Sequence, residues 1–387
     1  MKNKFLTLLS YILVACIASA VTYAACANAK VMPESSKLAE LEAIISQQYI
    51  GGADKATLED YAAAGMVEGT GDRWSYYIPV SQMQAHVDNQ NNSYVGIGIT
   101  VVLREDGQGI DIIGVTKGGP AEEAGILPGD ILYAVGDKLT SELGMDATTD
   151  LIRGVAGSKV KVTVLRDGEK KTFQVERRTI EVVIATGEML PGNIGLVRIE
   201  NFNGRSAQRT KEAIAQLLEQ GATSLILDVR NNPGGYRHEL VMLLDYLLPE
   251  GVLFRSEHYD GTTNVDTSDK NFLDMPMVVL VNGDSYSAAE FFAAALREYE
   301  AAEVIGTQTC GKGYYQQTLL LSDGSAVNLS TGRYYTPKGV CLTEVGGLTP
   351  DYVVEVDEQT YLLIAYDQLP ADQDPQIQQA VKVLKGE

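Results

Sequence analysis

A chain of 387 residues is longer than one ordinary hydrophobic core supports, so two or three domains are expected. A hydrophobic content of 45% excludes a disordered or fibrous chain. Thirty-one Lys and Arg stand against 51 Asp and Glu, a net charge of −20, which argues against nucleic acid and anionic lipid headgroups as partners.

Lys2 and Lys4 precede Phe5 to Ala27, a nearly uncharged run of roughly 23 residues, enough to span a bilayer. Ala27-Asn28-Ala29 has the small residues of a signal-peptidase site. Segment 1–29 therefore reads as a signal peptide or a membrane anchor. Either outcome places the rest of the chain outside the cytoplasm, with N-terminal membrane association expected. Of the four cysteines, Cys16 and Cys26 fall in this stretch. Cys310 and Cys341 fall far downstream, where they could pair in an oxidising compartment or serve as small apolar fillers. No Cys-x-x-Cys pair or His cluster suggests a metal site.

Residues 30–92 carry helical patterns, with Leu38, Leu41, Ile44 and Ile45 on one face, and a turn at Gly71-Asp72-Arg73-Trp74-Ser75. A packing or dimer-forming role is expected there. Asn89 to Ser93 reads as a polar linker.

Residues 93–178 look like a separate module. Gly96-Ile97-Gly98-Ile99 starts a strand from a glycine-lined loop. Gly119-Pro120 to Gly125-Ile126 has a helix-starting Pro and a helix-ending Gly. Val160, Val162 and Val164 alternate with polar residues, the mark of a half-exposed strand. The whole pattern resembles a PDZ domain. That resemblance implies capture of a peptide C-terminus by strand addition at Tyr94, Val95, Gly96, Ile97, Gly98 and Ile99, with Ile97 and Ile99 lining the side-chain pocket.

Residues 181–357 alternate strands and helices. The buried-type strand Leu225–Val229 runs into Arg230-Asn231-Asn232-Pro233-Gly234-Gly235, a glycine turn that could offer backbone N–H groups to an oxyanion. Val278 to Val281 is a second all-apolar strand, broken by Asn282-Gly283-Asp284. Strong helix formers begin at Ala288, so Ser285 and Ser287 sit where a buried strand turns into a helix. A serine there needs a base, and no histidine falls nearby. Lys312, between Gly311 and Gly313, is the candidate within the stretch. Free lysine has a pKa of roughly 10.4, so it acts as a base only where dry surroundings lower that value. His238 is a rival base, but Arg237 and Glu239 beside it suggest a solvent-facing position.

The stretch resembles the active site of the C-terminal processing, or tail-specific, peptidases. Ser287 three before Glu290, Lys312 at the family's interval and Gln316 four after it all match. So do the Asp-x-Arg-x-Asn-Pro-Gly-Gly segment at Asp228–Gly235 and the Gly71, Asp72, Ser75, Tyr77 turn. Tyr286, Ala289 and Glu298 depart from the family pattern. The resemblance implies Ser287 as nucleophile, Lys312 as base, Gln316 orienting the lysine, and an oxyanion site from the N–H of Gly234 or Gly235 with that of Ala288. It implies no cofactor or metal.

The expected architecture is multi-domain α/β. A PDZ module at 93–178 precedes a crotonase-like α/β protease domain at 181–357, with helical segments at 30–92 and 358–387. The C-terminal helices are expected to pack on the N-terminal ones or on a second chain in a homodimer. The expected partners are protein or peptide substrates with exposed C-termini. Rival readings are a catalytically silent peptide-binding scaffold and a crotonase-type enzyme acting on small thioesters.

Overall fold

The computed structural model describes residues 37–104 and 109–387. The apolar N-terminal stretch with Cys16 and Cys26 lies outside the described residues. Among the described residues no helix is long and apolar enough to cross a membrane. Residues up to Tyr77 belong to one compact unit and Ile78–Glu387 form a second.

In the first unit, α1 (Lys37–Gln48) and α2 (Lys55–Glu68) lie together. Asp54 caps α2 by accepting from the Thr57 N–H at 2.9 Å. Neither helix buries a residue, and Leu41, Ile44, Tyr61 and Met66 are exposed. The Asp72 turn is braced by the Ser75 hydroxyl at 2.6 Å, and the Tyr77 hydroxyl donates to Asp60 at 2.7 Å. Those motif residues hold a turn together.

The second unit opens with α3 (Val80–Gln90). The expected linker at Asn89–Ser93 is instead built into the fold. Asn92 is buried in a left-handed conformation (φ 53°), which asparagine tolerates. Its Nδ2 donates to the Gly204 carbonyl at 3.0 Å, and its Oδ1 accepts from Asn201 at 2.7 Å.

β1 (Ser93–Gly96) and β7 (Arg178–Glu181) pair antiparallel as the stem of the PDZ module. Between them β2 (Ile99–Leu103), β3 (Ile110–Val115), β4 (Ile131–Val135), β5 (Lys159–Arg166) and β6 (Glu169–Glu176) form an antiparallel sheet in chain order. The predicted alternation holds: Val160, Val162 and Val164 point into the core beside Ile110, Ile112 and Leu132. The short helix α4 (Pro120–Ala124) ends at Gly125 (φ 90°). Helix α5 (Thr140–Ile152) is broken at Gly144.

Asp130 is buried and its carboxylate takes both oxygens to Arg166, at 2.6 and 2.7 Å, and the Leu127 N–H at 2.9 Å. Burial pushes its pKa up, but Arg166 and the Leu127 N–H outweigh that and hold it below the usual carboxylate range. A lowered folded pKa means this stabilisation is present above the ordinary carboxylate range and is lost as pH falls through the lowered value. Arg166→Ala leaves that charge buried and unpaired, and is expected to cost the module about 3 kcal/mol or more, read by urea unfolding at neutral pH. A change below about 1 kcal/mol would refute this account of the pair.

The rest of the unit is organised on a sheet ordered β8 (Ala185–Leu190), β9 (Ile194–Ile199), β10 (Ser224–Asp228), β13 (Met277–Val281), β14 (Ala302–Gly306) and β17 (Tyr352–Val353). All neighbours from β9 onward are parallel; β8 is antiparallel to β9. Every residue of β10 and β13 is buried, as expected of strands covered on both faces. One face is covered by α6 (Ser206–Glu219), α7 (Arg237–Leu247) and α8 (Ala288–Glu298). Helix α8 buries Ala288 through Leu296 without interruption, so it is a core helix. A second layer pairs β11 (Gly251–His258) with β12 (Thr263–Ser268) and with β16 (Ala326–Tyr335), which also pairs with β15 (Tyr314–Leu320).

The C-terminal expectation needs correcting. Helix α9 (Glu358–Ala365) is followed by α10 (Pro375–Lys385), which covers the other face of the main sheet. Ile377 and Ala380 are buried there with Leu196, Ile226, Val278, Leu280 and Ile305. Parallel strands leave two apolar faces, and α10 supplies the second cover within the same chain.

Candidate active site

The carboxyl ends of the parallel strands β9, β10, β13 and β14 each run into a turn, and these turns converge. After β13, Asn282 and Ser285 close the first turn. The Ser285 hydroxyl donates to the Val229 carbonyl at 2.7 Å and accepts from the Asn282 N–H at 3.0 Å. Ser285 is fully buried, so it is a brace and not a nucleophile. Ser287 follows at φ 57°, ψ −125°, a region that costs a non-glycine residue about 1–3 kcal/mol. That strained conformation places a side chain sharply at the start of α8, where free N–H groups and the helix dipole gather.

Glu290, one turn into α8, is fully buried and its carboxylate accepts four donors. One oxygen takes the Ser287 N–H at 2.9 Å and the Lys312 N–H at 2.8 Å. The other takes the Gly311 N–H at 2.7 Å and the Thr309 hydroxyl at 2.5 Å. The backbone of the serine and that of the lysine thus share a single oxygen atom. Thr343 secures the lysine segment from its far side, accepting from the Gly313 N–H at 2.6 Å and donating to the Gly311 carbonyl at 3.0 Å. The Lys312 amine lies 5.6 Å from the ring centre of Tyr286, the neighbour of Ser287. Burial pushes the Tyr286 phenol up, with Cys310 and Asp284 adding to the shift.

Gln316 donates through Nε2 to the Ser330 hydroxyl at 2.9 Å and the Tyr314 carbonyl at 3.2 Å. Its amide hydrogens are spent on these, which leaves Oε1 as an acceptor. His238 has an exposed side chain stacked on Tyr236, at 5.1 Å between ring centres. Cys310 and Cys341 are not joined to each other by a disulfide.

The turn after β10 packs directly on Ser287. A Cβ on Gly234 (φ 84°) would lie 2.8 Å from the Ala288 nitrogen, the Ser287 Cβ and the Tyr286 carbonyl oxygen. A Cβ on Gly235 would lie 2.2 Å from the Phe202 carbonyl carbon. Both glycines are therefore required by close approach. The two candidates for oxyanion donor differ. The Gly234 N–H is already bonded to Asn232 Oδ1 at 2.8 Å. Among the described residues, the N–H groups of Gly235 and Ala288 have no acceptor. The turn is locked to the Ser287 turn by Tyr286 N–H to the Asn232 carbonyl at 3.1 Å, and by reciprocal bonds between Asn231 and Asn282 at 2.9 and 2.8 Å.

In the PDZ module β2 has β3 as its partner and lies at the edge of the sheet, so its other side is open to strand addition. Gly98 has φ 75°. Gly96 is roofed by the Tyr94 ring, 3.0 Å from where its Cβ would be. Ile97 differs from expectation. It is fully buried in the module's core, and its carbonyl caps α4 through the Ala121 N–H at 2.9 Å. Its side chain serves packing, while half-buried Ile99 stays at the margin of that core.

Glu290, Thr309 and Thr343 were not singled out from sequence as functional residues. A signal for Glu290 was there: Ser287-Ala288-Ala289-Glu290 is the Ser-x-x-Glu pattern of a helix capping box.

The profile of peptidase family S41 matches residues 193–354, and that of a PDZ domain matches 95–176. The chain is 31% identical to the carboxy-terminal processing protease CtpA of Bacillus subtilis (strain 168), over 94% of this chain and 80% of that relative. It is 30% identical to a CtpA-like serine protease of Staphylococcus aureus (strain N315), over 83% of this chain, and spans 64% of that relative's length. A solved S41 protease structure from Bacteroides fragilis NCTC 9343 shares the fold, with a TM-score of 0.56 over 90% of this chain and 97% of that one at 17% identity.

Proposed function

Because the chain belongs to peptidase family S41, with the C-terminal processing proteases, we propose that it is an extracytoplasmic Ser/Lys endopeptidase acting on protein tails held by its PDZ module. One observation carries the dyad: the Ser287 and Lys312 N–H groups meet on one oxygen of buried Glu290.

In this reading the Ser287 hydroxyl oxygen attacks the scissile carbonyl carbon as its proton passes to the neutral Lys312 amine. The negative charge on the former carbonyl oxygen is received by the Gly235 and Ala288 N–H groups. Collapse of this intermediate breaks the C–N bond, and the Lys312 ammonium protonates the departing amine. Water then attacks the acyl-serine carbonyl as its proton passes to Lys312; the bond from that carbon to the Ser287 oxygen breaks, and the Lys312 ammonium returns the proton to that oxygen, releasing the new carboxyl end. Gln316 steadies the ammonium through Oε1. Tyr286 shields the amine from water. The substrate tail adds along the free side of β2, its carboxylate on the backbone of Tyr94–Gly98 and its side chain beside Ile99. The apolar leader at Phe5–Ala27 supports a location outside the cytoplasm.

A disordered reporter with a free C-terminus, compared with the same reporter amidated, tests this. Cleavage of internal peptide bonds is expected for both, with KM raised about tenfold by amidation, the worth of roughly one charged hydrogen bond. Equal KM values would remove the tail-capture role. Hydrolysis of small thioesters without peptide cleavage would replace the peptidase reading by an acyl-processing one.

A further inference from the structure

Arg230 lies two residues beyond β10, at the foot of the glycine turn, and is buried. All three nitrogens of its guanidinium donate hydrogen bonds. Nε and Nη2 donate to the two oxygens of Asp228 at 2.9 and 2.6 Å. Nη1 donates to Asp374 Oδ2 at 2.8 Å and to Gln376 Oε1 at 2.9 Å. Asp374 is itself buried and holds the start of α10, its Oδ1 accepting from the N–H groups of Gln376 at 2.9 Å and Ile377 at 3.2 Å. One carboxylate thus caps a helix with one oxygen and secures the glycine turn with the other. A second tie comes from α9. The Tyr361 hydroxyl donates to Asp284 of the nucleophile turn and lies 3.5 Å from Asn231 Oδ1 of the glycine turn. It therefore sits over the seam closed by Asn231 and Asn282.

We propose that residues 358–385 are part of the catalytic frame, with Asp374 and Tyr361 as positioning residues that fix the Gly235 turn against the Ser287 turn. This rests on the Ser287–Lys312 reading. The physical reason is leverage. An oxyanion donor must be held to a fraction of an ångström, and misplacement by about 1 Å costs on the order of 10²-fold in rate. The turn between Val229 and Gly235 lies outside the main sheet; Phe202 pairs with its far end at Gly235, and the buried charged bonds of Arg230 brace the stretch before it.

Two variants separate positioning from folding. Asp374→Asn keeps a good helix cap but turns an amide towards Arg230. Tyr361→Phe removes one hydroxyl from a half-buried residue. On the full chain with a disordered reporter, each is expected to lower kcat about tenfold or less severely about threefold, respectively, with KM within twofold. The Ki of a peptide aldehyde, whose hemiacetal oxygen would occupy the oxyanion position, should rise in parallel. Unchanged kcat and Ki in Tyr361→Phe overturn the proposal, as does a lowered Tm in Asp374→Asn with both constants unchanged. If Asp374→Asn does not fold, Tyr361→Phe decides. Wild-type cleavage that persists in Ser287→Ala would instead strike the dyad itself, so the two failures are distinguishable.

Discussion

Ser287→Ala and Lys312→Ala are each expected to abolish tail cleavage, with kcat lowered on the order of 10⁴-fold or more, while thermal unfolding and tail binding stay near wild type. The magnitude follows from the roles. Without the hydroxyl no acyl-enzyme forms, and without the amine the hydroxyl keeps its proton. The unchanged fold follows from the bonds. Glu290 holds both residues through their backbone N–H groups, which the substitutions leave in place. Alanine meets the same backbone strain at position 287 as serine does. Because the two residues act as a unit, the double variant should lose no more than either single one. Full activity in either single variant, measured on the disordered reporter, would falsify the dyad.

The second large effect is expected at a residue that touches no substrate. Glu290→Gln should lower kcat about 10²-fold, through misplacement on the scale of 1 Å, with KM changed much less. Four donors converge on the two Glu290 oxygens. A carboxamide offers one oxygen and an NH₂ group, so at least two donors would meet another donor. Each buried donor left without an acceptor costs about 1–3 kcal/mol, which the lysine segment can relieve only by moving away from α8. A lower Tm is expected too, so the assay is run well below it. Thr309→Val should reproduce part of the loss, because it removes a single donor to the same carboxylate. Wild-type kcat in Glu290→Gln would show that the shared oxygen plays no part in bringing serine and lysine together.

Much of this arrangement was legible in the linear chain. The apolar run at Met277–Val281 and the helix formers from Ala288 located a strand–turn–helix unit, because burial on both faces leaves continuous hydrophobicity and helix propensity is local. The alternating valines of β5 placed a half-exposed strand for the same reason. The PDZ module and the S41 domain followed from long motifs, and both are matched. Other expectations failed where neighbours distant in sequence intervene. Ile97 looked like a pocket residue, but the packing of α4 places it in the core. Asn92 looked like linker, but Gly204 and Asn201 fold it into the body of the unit. Helix α10 looked free to meet another chain, but the second face of a parallel sheet needed a cover.

By itself the chain's order of residues pointed to the groups proposed for the chemistry and determined which strand, turn or helix each stands on, since period, propensity and turn residues act over a few neighbours. Only the tertiary structure decided that Ser285 braces while Ser287 starts α8 in a strained backbone conformation, that the open glycine N–H is at 235 and not at 234, and that Glu290 and Asp374 hold the turns. Beyond short-range bonds such as Ser287 N–H to Glu290 and Gly234 N–H to Asn232, these partnerships join atoms from turns far apart along the chain, and no local pattern encodes them.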